Sequence, residues 1–325
     1  MASVLVIGEA PDGQLSATSA ELLGAATRLA EELGGGVACA LIGGALSSAA
    51  QAAVAAGAET VYAADHESLA QYHTEAYVPL AAAIVQQDTP QAVLIGQTSI
   101  GRDLAPRLAA RLDTAVVMDA VDLAVADGRI RATRPCFGGN ARQVVTITSD
   151  PQIITVRAKS QDALDPDASR RGSITAIAVD PVAPSAAVTG KEQVQSEGVP
   201  LNTAEIVVAG GRGLGQESAF RDLEELASVL GAAVGASRAA CDLGWYPPAQ
   251  QVGLTGTVVS PTLYLAVAIS GASQHMAGCG GSKSIVAINK DPGANIYNFC
   301  RFGVVEDYQK VLPPLTAALR ELLQD

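Results

Sequence analysis

Polar side chains follow two apolar, strand-like runs in the last third of the 325-residue chain. Ser237 and Arg238 come shortly after residues 232–235, and Asn289 comes directly after residues 284–288. Ligands of open α/β sheets bind at the carboxyl ends of the strands. This placement therefore predicts a ligand crevice at one edge of a parallel sheet.

A glycine-rich turn precedes these residues. The segment EIVVAGGRGLGQES places a strand-like run, glycines at 211, 213 and 215, and a helical stretch in succession, with Arg212 inside the turn. Backbone amides of such a turn can receive a phosphate group. The spacing is GxGxG rather than GxGxxG, and Ser237 and Arg238 stand where a ribose-binding acid is expected, which disfavours a nicotinamide site. A tight turn that binds no ligand is the alternative interpretation.

Arg238 and Asp307 each have a structural interpretation beside the functional one. Arg238 at a strand end either pairs with a nearby acid or projects into the crevice, and the local pattern alone favours the ion pair. Asp307 opens the last helical stretch, where an aspartate commonly caps a helix N-terminus.

Two uncharged segments are suited to contact a flat polar ring. QQVGLTGTVVSP supplies Gly253, Thr255 and Gly256 for close backbone approach and a hydroxyl hydrogen bond. In SGASQHMAG, a helix is expected to start near Ser270, with His275 about one turn inside it. An ordinary loop and a structural histidine are the alternatives.

Other kinds of site are not indicated. The remaining histidines, at 66 and 73, form no HExxH, and no GxSxG is present, so neither a metal site nor a hydrolase is predicted. The five cysteines include no CxxC and fit a reducing cytoplasm. The N-terminus has the pattern of a strand rather than of a signal peptide, so we expect no export.

Length and composition limit the class of protein. A chain of 325 residues predicts two domains, and 49% apolar but only 4% aromatic residues favour α/β packing of small side chains. A net charge of −12 without a cluster of Lys and Arg argues against nucleic acid as a partner. Residues 243–282 carry no charged side chain, but prolines and glycines interrupt them, so an integral membrane protein is not expected.

The order of apolar runs predicts two α/β units. Strands and Ala-rich helices alternate in the first hundred residues, and strands then dominate as a β-rich completion of the same domain. The polar stretch 180–202, with three prolines, predicts a linker. The expected helices are residues 17–33, 47–56, 69–86, 217–230 and 307–323, the last interrupted near Pro313 and Pro314. The expected strands are residues 4–7, 37–42, 60–63, 93–96, 115–118, 129–133, 143–147, 153–157, 205–209, 232–235, 263–269 and 284–288.

Four segments of the last third resemble, in their order and spacing, the electron transfer flavoprotein α-subunit signature. They are GGRGLG, AAVGASRAACDLGW, QQVGLTGTVVSPTLYLAVAISGASQHMAG and SKSIVAINKDPGANIY. The resemblance covers residues 205–319, and RPCFGGNARQVVTI resembles a strand segment of the same family. It implies an α/β fold of two domains. Residues 1–190 would form a parallel-sheet, adenine nucleotide α hydrolase-like domain that contacts a β subunit, and residues 191–325 a doubly wound FAD-binding domain.

The resemblance also implies which residues bind FAD. The matching positions are Arg212, Ser237, Arg238, Val252, Gly253, Leu254, Thr255, Ser270, Gly271, Ala272, Ser273, Gln274, His275, Asn289, Asp307 and Tyr308. Among them, Arg238 would be the cation beside the isoalloxazine ring, Thr255 the hydroxyl near flavin N5, and His275 the donor near the N1/O2 edge. Reduction places negative charge on the ring, which fixed donors in a dry site stabilise.

An electron carrier is the function that the resemblance implies. The chain would pair with an electron transfer flavoprotein β subunit and accept electrons from dehydrogenases, acyl-CoA dehydrogenases of fatty acid oxidation first among them. It would pass them to a membrane quinone reductase or another acceptor without transforming a substrate itself. Leu254, Cys279 and Arg301 depart from the family pattern, and they leave the flavin potential and the redox partners open.

Two other functions remain open from the sequence. The chain could belong to an electron-bifurcating complex, in which a second FAD in the β subunit takes hydride from NADH. It could also be a nucleotide-binding protein that has kept the fold and lost its redox role.

Overall fold

The computed structural model describes residues 2–139, 141–180, 186 and 198–323. Contacts divide the chain into two compact units, the first comprising Met1–Pro135 and Arg142–Lys191, the second Cys136–Ala141 and Glu192–Asp325. The domain boundary expected at residue 190 and most of the linker expected at 180–202 lie outside the described residues.

The regular elements follow the expected order. The helices are α1 (Ala17–Leu33), α2 (Ser47–Ala55), α3 (Thr74–Asp88), α4 (Ser99–Arg111), α5 (Phe220–Leu230), α6 (Arg238–Asp242), α7 (Ser273–Cys279) and α8 (Tyr308–Leu322). The strands of the first unit are β1 (Ala2–Gly8), β2 (Gly36–Gly43), β3 (Thr60–Asp65), β4 (Ala92–Gly96), β5 (Val116–Ala120), β6 (Asp122–Ala126), β7 (Arg129–Cys136), β8 (Ala141–Thr146), β9 (Gln152–Val156) and β10 (Ser173–Ala176). Those of the second unit are β11 (Ile206–Gly210), β12 (Ala233–Ser237), β13 (Gln251–Val252), β14 (Leu263–Val267), β15 (Ser284–Ile288) and β16 (Phe302–Val304).

A seven-stranded parallel sheet is the centre of the first unit. Its strand order is β10-β3-β2-β1-β4-β9-β5, and every neighbouring pair is parallel. Residues of α1 and α2 pack on one face of the sheet, and residues of α3 and α4 pack on the other. The predicted parallel α/β unit is therefore confirmed.

The β-rich region after Arg111 divides between two sheets. Strands β5 and β9 join the parallel sheet, whereas β6, β7 and β8 form a separate three-stranded sheet in which β6 and β7 are antiparallel. Six elements were not expected from the sequence: α4, β6 and β10 in the first unit, and α6, β13 and β16 in the second. Helix α4 begins where the Thr98 hydroxyl accepts from the Gly101 amide at 3.0 Å, a side-chain cap of a common kind.

The second unit is a doubly wound parallel sheet. Its strand order is β13-β12-β11-β14-β15-β16, so the chain winds one way from β11 to β13 and the other way from β14 to β16. Helices α5, α6 and α8 pack on one face with Leu265 and Val267 of β14. Residues of α7 pack on the opposite face with Tyr264 and Ala266. The order reverses between β11 and β14, and the crevice at such a reversal is where ligands bind in this architecture.

The structure corrects three helix boundaries. Helix α8 continues through Pro313 and Pro314 instead of breaking there, because Leu312 and the apolar side chains around it pack against α5 and outweigh the two lost amide donors. The stretch 69–86 is split, since a short 3₁₀ turn ends at Leu69 and α3 begins at Thr74. The stretch 217–230 begins with a 3₁₀ turn, and α5 starts at Phe220. No helix of the described residues is long and apolar enough to cross a membrane.

Candidate functional site

The strands that precede Ser237 and Asn289, β12 and β15, belong to the same parallel sheet of the second unit and are separated in it by β11 and β14. Strands β11, β14 and β15 run side by side in parallel, so the residues after them share one edge of the sheet. A cavity of about 40 Å³ opens there, and its walls are Gly213, Ala268, Ile288, Asn289, Lys290, Asp307 and Tyr308. This volume holds only a few atoms, so the cavity by itself is too small for a nucleotide-sized ligand.

The glycine-rich turn uses its backbone amides within the protein. The Gly211 amide donates to the Val267 carbonyl group at 2.9 Å, and the Gly213 amide donates to that of Ala268 at 3.3 Å. The amides of Leu214 and Gly215 donate to carbonyl groups within the same 3₁₀ turn. Glycine is required at 211, because a Cβ there would lie 2.2 Å from the Ala268 carbonyl oxygen. These four amides are not free for a phosphate, and the structure supports a tight turn that ties β11 to β14.

Ser237 and Arg238 lie at the carboxyl end of β12, as expected. Ser237 is the residue before α6, and its Oγ is buried without a hydrogen-bond partner among the described residues. The Arg238 side chain is exposed, and its Nε donates to Asp242 Oδ2 at 3.3 Å. A buried hydroxyl and an exposed guanidinium thus stand side by side at this strand end.

The uncharged loop at residues 251–257 lies against α7. The Leu254 amide donates to the Gln274 carbonyl group at 2.8 Å, and a Cβ at Gly278 would lie 2.3 Å from the Gly253 Cα atom. Gln251 Nε2 donates to Thr255 Oγ1 at 3.0 Å, which leaves the proton of the Thr255 hydroxyl available to a ligand. The glycines in this region therefore serve close backbone approach.

His275 lies in the first turn of α7, because the helix starts at Ser273 and not near Ser270 as expected. The side chain is buried, and Nε2 is 2.9 Å from the Tyr264 hydroxyl. Burial lowers the pKa of His275 to about 4, an effect that the Val252 carbonyl group partly opposes. His275 is therefore a neutral imidazole near neutral pH. Its Nδ1 is buried without a hydrogen-bond partner among the described residues.

The segment from Ser270 to Gln274 is positioned by a tight contact with residues 295 and 296. The Ile296 amide donates to the Ser270 carbonyl group at 3.0 Å, and Asn295 Nδ2 donates to that of Gly271 at 2.6 Å. Gly271 has a φ of +80°, and a Cβ there would lie 2.3 Å from the Ile296 nitrogen. Glycine is needed here for both its conformation and its small size.

Asn289, Asp307 and Tyr308 border the cavity, but each also has a structural contact. Asn289 Nδ2 donates to the Ile269 carbonyl group at 2.9 Å. Asp307 Oδ1 accepts from the Gln309 amide at 3.0 Å and caps α8, as its alternative role predicted. The Tyr308 hydroxyl donates to the Leu214 carbonyl group at 2.9 Å.

The donor set of this edge fits a flat, polar cofactor better than a metal ion. The two buried atoms without partners, Ser237 Oγ and His275 Nδ1, can both donate hydrogen bonds, and leaving such atoms unpaired costs about 1–3 kcal/mol each. Glycines 211, 253 and 271 let segments of the protein backbone pack closely against one another at this edge. Among the described residues, no group of three or more His, Cys, Asp or Glu side chains could hold a metal.

Comparison with known proteins decides between the remaining kinds of ligand. Residues 4–182 match the electron transfer flavoprotein domain, and residues 200–280 match the electron transfer flavoprotein FAD-binding domain. The chain belongs to the electron transfer flavoprotein α-subunit family. Its second unit contains the FAD-binding domain of that family, and its function is that of an electron transfer flavoprotein.

Relatives in this family match over nearly the whole chain. The chain is 42% identical over 320 residues to the electron transfer flavoprotein subunit alpha of Bacillus subtilis (strain 168), with 98% of each chain covered. It is 41% identical over 325 residues to the corresponding subunit of Megasphaera elsdenii, with 98% of this chain and 96% of the relative covered. Protein FixB of Clostridium saccharobutylicum is 38% identical over 325 residues, with 98% and 97% covered.

Sequence reasoning missed two contributors to the site. Tyr264 was read as part of an apolar strand, although it is the one aromatic residue of β14 and contacts His275. Asn295, which positions Gly271, lies in a turn region with no distinctive pattern. For Tyr264, the only signal in the sequence is a single tyrosine among apolar residues. For Asn295, the sequence offers no signal.

Proposed function

We propose that the family's FAD contacts are made in this chain by the matching residues of the second unit. They are Arg212, Ser237, Arg238, Val252, Gly253, Leu254, Thr255, Ser270, Gly271, Ala272, Ser273, Gln274, His275, Asn289, Asp307 and Tyr308. The observation that most supports the proposal is the pair of buried, unpartnered donors, Ser237 Oγ at the end of β12 and His275 Nδ1 in the first turn of α7.

FAD, when bound, takes up and releases electrons, and reduction increases the negative charge of its ring. The residues of this chain would stabilise that charge in different ways. Arg238 supplies a positive charge from an exposed position, and the Thr255 hydroxyl has a free proton because it accepts from Gln251. His275 is buried and neutral, so its hydrogen bond does not depend on its own titration near neutral pH.

We further propose that the chain works as an electron carrier in the cytoplasm. Relatives named subunit alpha support a heterodimer with a β subunit, and we assign the contact with it to the domain at residues 1–190. Dehydrogenases, acyl-CoA dehydrogenases of fatty acid oxidation among them, would donate electrons, and a quinone reductase or another acceptor would receive them. All five cysteines are free, in keeping with a reducing compartment.

The three departures from the family pattern lie in different surroundings. The Leu254 side chain is 62% exposed in the loop beside α7, and Arg301 is exposed just before β16. Cys279 is buried, and burial raises the pKa of its thiol to about 12, so its chemistry is inert near neutral pH. Leu254 and Arg301 are therefore the two departures able to alter contacts with FAD or a redox partner.

Co-expression with an electron transfer flavoprotein β subunit of the same genome tests the proposal. The purified heterodimer is expected to be yellow and to contain one FAD and one AMP. Two FAD molecules per heterodimer would instead favour the bifurcating complex. A colourless heterodimer that takes up no added FAD would contradict the redox function and favour a non-redox nucleotide-binding protein.

A further inference from the structure

A buried cluster of three side chains lies at the proposed flavin donor. Tyr264 on β14 and Cys279 on α7 are fully buried, and His275 is 7% exposed. The Tyr264 hydroxyl and His275 Nε2 are 2.9 Å apart, and Cys279 Sγ donates to the His275 carbonyl group at 3.5 Å. The central strand and α7 thus hold these groups in one fixed arrangement.

The acceptor strengths in this cluster favour one direction for the Tyr264 hydrogen bond. Burial raises the pKa of Tyr264 well above its usual value and lowers the pKa of His275 to about 4, so both groups are neutral near pH 7. The Cys279 thiol proton is directed at the His275 carbonyl group, and a thiol sulfur is a weak acceptor. The Tyr264 hydroxyl also interacts with the Cys279 thiol, but the imidazole nitrogen is the stronger acceptor of the two, which favours donation from the phenol to His275 Nε2.

We propose that Tyr264 is a positioning residue that selects the tautomer of His275, an inference that rests on the proposed function. When Nε2 accepts from the phenol, the single ring proton of the neutral imidazole must reside on Nδ1. Nδ1 is buried and makes no hydrogen bond of good geometry among the described residues, although the Val252 carbonyl group lies near enough to the ring to raise the His275 pKa. Tyr264 thereby makes His275 a hydrogen-bond donor, rather than an acceptor, toward the flavin.

The tautomer decides whether His275 favours or opposes reduction. A neutral Nδ1–H group strengthens its hydrogen bond as negative charge develops on the ring edge. The opposite tautomer would direct a lone pair at the same edge and would disfavour the reduced state. Tyr264, which lies on β14 and is not among the proposed FAD contacts, thereby acts on the flavin potential through His275.

The first test measures the tautomer itself, before FAD is added. The apo heterodimer is labelled with ¹⁵N-histidine, and long-range ¹H–¹⁵N correlation spectra are compared with those of His275→Gln to assign the His275 signals. The wild type is expected to show the Nδ1–H tautomer. Tyr264→Phe, which keeps the buried ring and removes only the hydroxyl, is expected to lose this tautomer. An Nε2–H tautomer in the wild type, or an unchanged Nδ1–H tautomer in Tyr264→Phe, would overturn the proposal.

Two control variants identify which side chain determines the tautomer of His275. Cys279→Ala removes the thiol and is expected to leave the tautomer unchanged, whereas a lost Nδ1–H signal would make the thiol the determining group and overturn the assignment. Tyr246→Phe removes a hydroxyl whose contact is Glu224, away from the cluster, and is expected to change nothing.

The second test uses the FAD-loaded heterodimer. Tyr264→Phe is expected to lower the one-electron midpoint potential by about 59 mV, equivalent to a tenfold change in the equilibrium constant, while Tyr246→Phe keeps the wild-type value. A wild-type potential in Tyr264→Phe would contradict the proposed effect on reduction. Failure of the wild type to bind FAD would contradict the proposed function, and the tautomer measured without FAD would then still decide the role of Tyr264.

Discussion

Arg238 Nε donates to Asp242 Oδ2 at 3.3 Å, across one turn of α6, and both side chains are more than 60% exposed. An exposed pair of this kind contributes roughly 0–1 kcal/mol. The ion pair therefore does not compete with a functional role for Arg238. A guanidinium held this weakly can turn from Asp242 to a negatively charged ligand at small cost.

Replacing Arg238 by alanine is expected to lower the flavin midpoint potential by on the order of 60 mV, or to weaken FAD binding, without unfolding the domain. A charge-assisted hydrogen bond is worth about 1.5–3 kcal/mol, and a tenfold change in a one-electron equilibrium is about 59 mV. Spectroelectrochemical titration of the heterodimer measures the potential. Asp242→Asn is the matched control, and it is expected to raise the potential slightly because it releases Arg238. Unchanged potential and affinity in Arg238→Ala would refute the assigned role.

His275 is expected to make the stability of the subunit depend on pH between about 4 and 6.5. Its pKa falls from 6.5 to about 4 on folding because of burial, so the unfolded state binds more protons in this window. Stability contributed by the neutral His275 is present above pH 6.5 and is lost as the pH falls toward 4, by about 3 kcal/mol in all.

Urea unfolding at pH 4.5 and pH 7, followed by the fluorescence of the single tryptophan, Trp245, measures this dependence. His275→Gln is expected to show a smaller loss of stability between the two pH values than the wild type, because glutamine does not titrate. Carboxylates titrate equally in both proteins and cancel in the comparison. Equal losses in the two proteins would show that folding does not lower the pKa of His275.

Local sequence patterns predict the bounds of an element where residues at both of its ends mark its start and its stop. Helix α1 has the predicted bounds because Ser16 caps its start and Gly34, with a φ of +76°, ends it. The buried parallel strands were visible as short apolar runs between such helices. Helix α8 shows the limit, because packing of Leu312 against α5, and not the two prolines, decides its continuity.

The site was predictable in its location but not in its hydrogen bonds. The strand-like runs of the sequence predict that Ser237, Arg238 and Asn289 lie at one edge of a sheet. The amides of the glycine-rich turn are taken up by the carbonyl groups of Val267 and Ala268, more than fifty residues away. Such pairings depend on how two strands approach each other, which no local pattern contains.

Gly271→Ala is expected to weaken FAD binding more than Gly231→Ala does, although both substitutions place alanine at a positive φ. The added Cβ would lie 2.3 Å from the Ile296 nitrogen, so the segment from Ser270 to Gln274 must move. Gly231→Ala is the matched control, because Gly231 also has a positive φ, +61°, but no atom within 4 Å of an added Cβ. The control is expected to lose about 1 kcal/mol of stability and to retain its FAD affinity. Equal FAD affinities in the two variants would show that the Ser270–Gln274 segment does not contact the cofactor.

Asp307 allows its two roles to be separated by a pair of substitutions. Its carboxylate accepts from the Gln309 amide at 3.0 Å and caps α8, and it also lines the cavity beside Asn289 and Lys290. Asp307→Asn keeps the capping oxygen but removes the charge, whereas Asp307→Ala removes both and is expected to cost about 1 kcal/mol of unfolding free energy. If Asp307 binds FAD through its charge, both variants lose FAD affinity in isothermal titration, but only the alanine variant is destabilised. Wild-type affinity in Asp307→Asn would assign the carboxylate to capping alone.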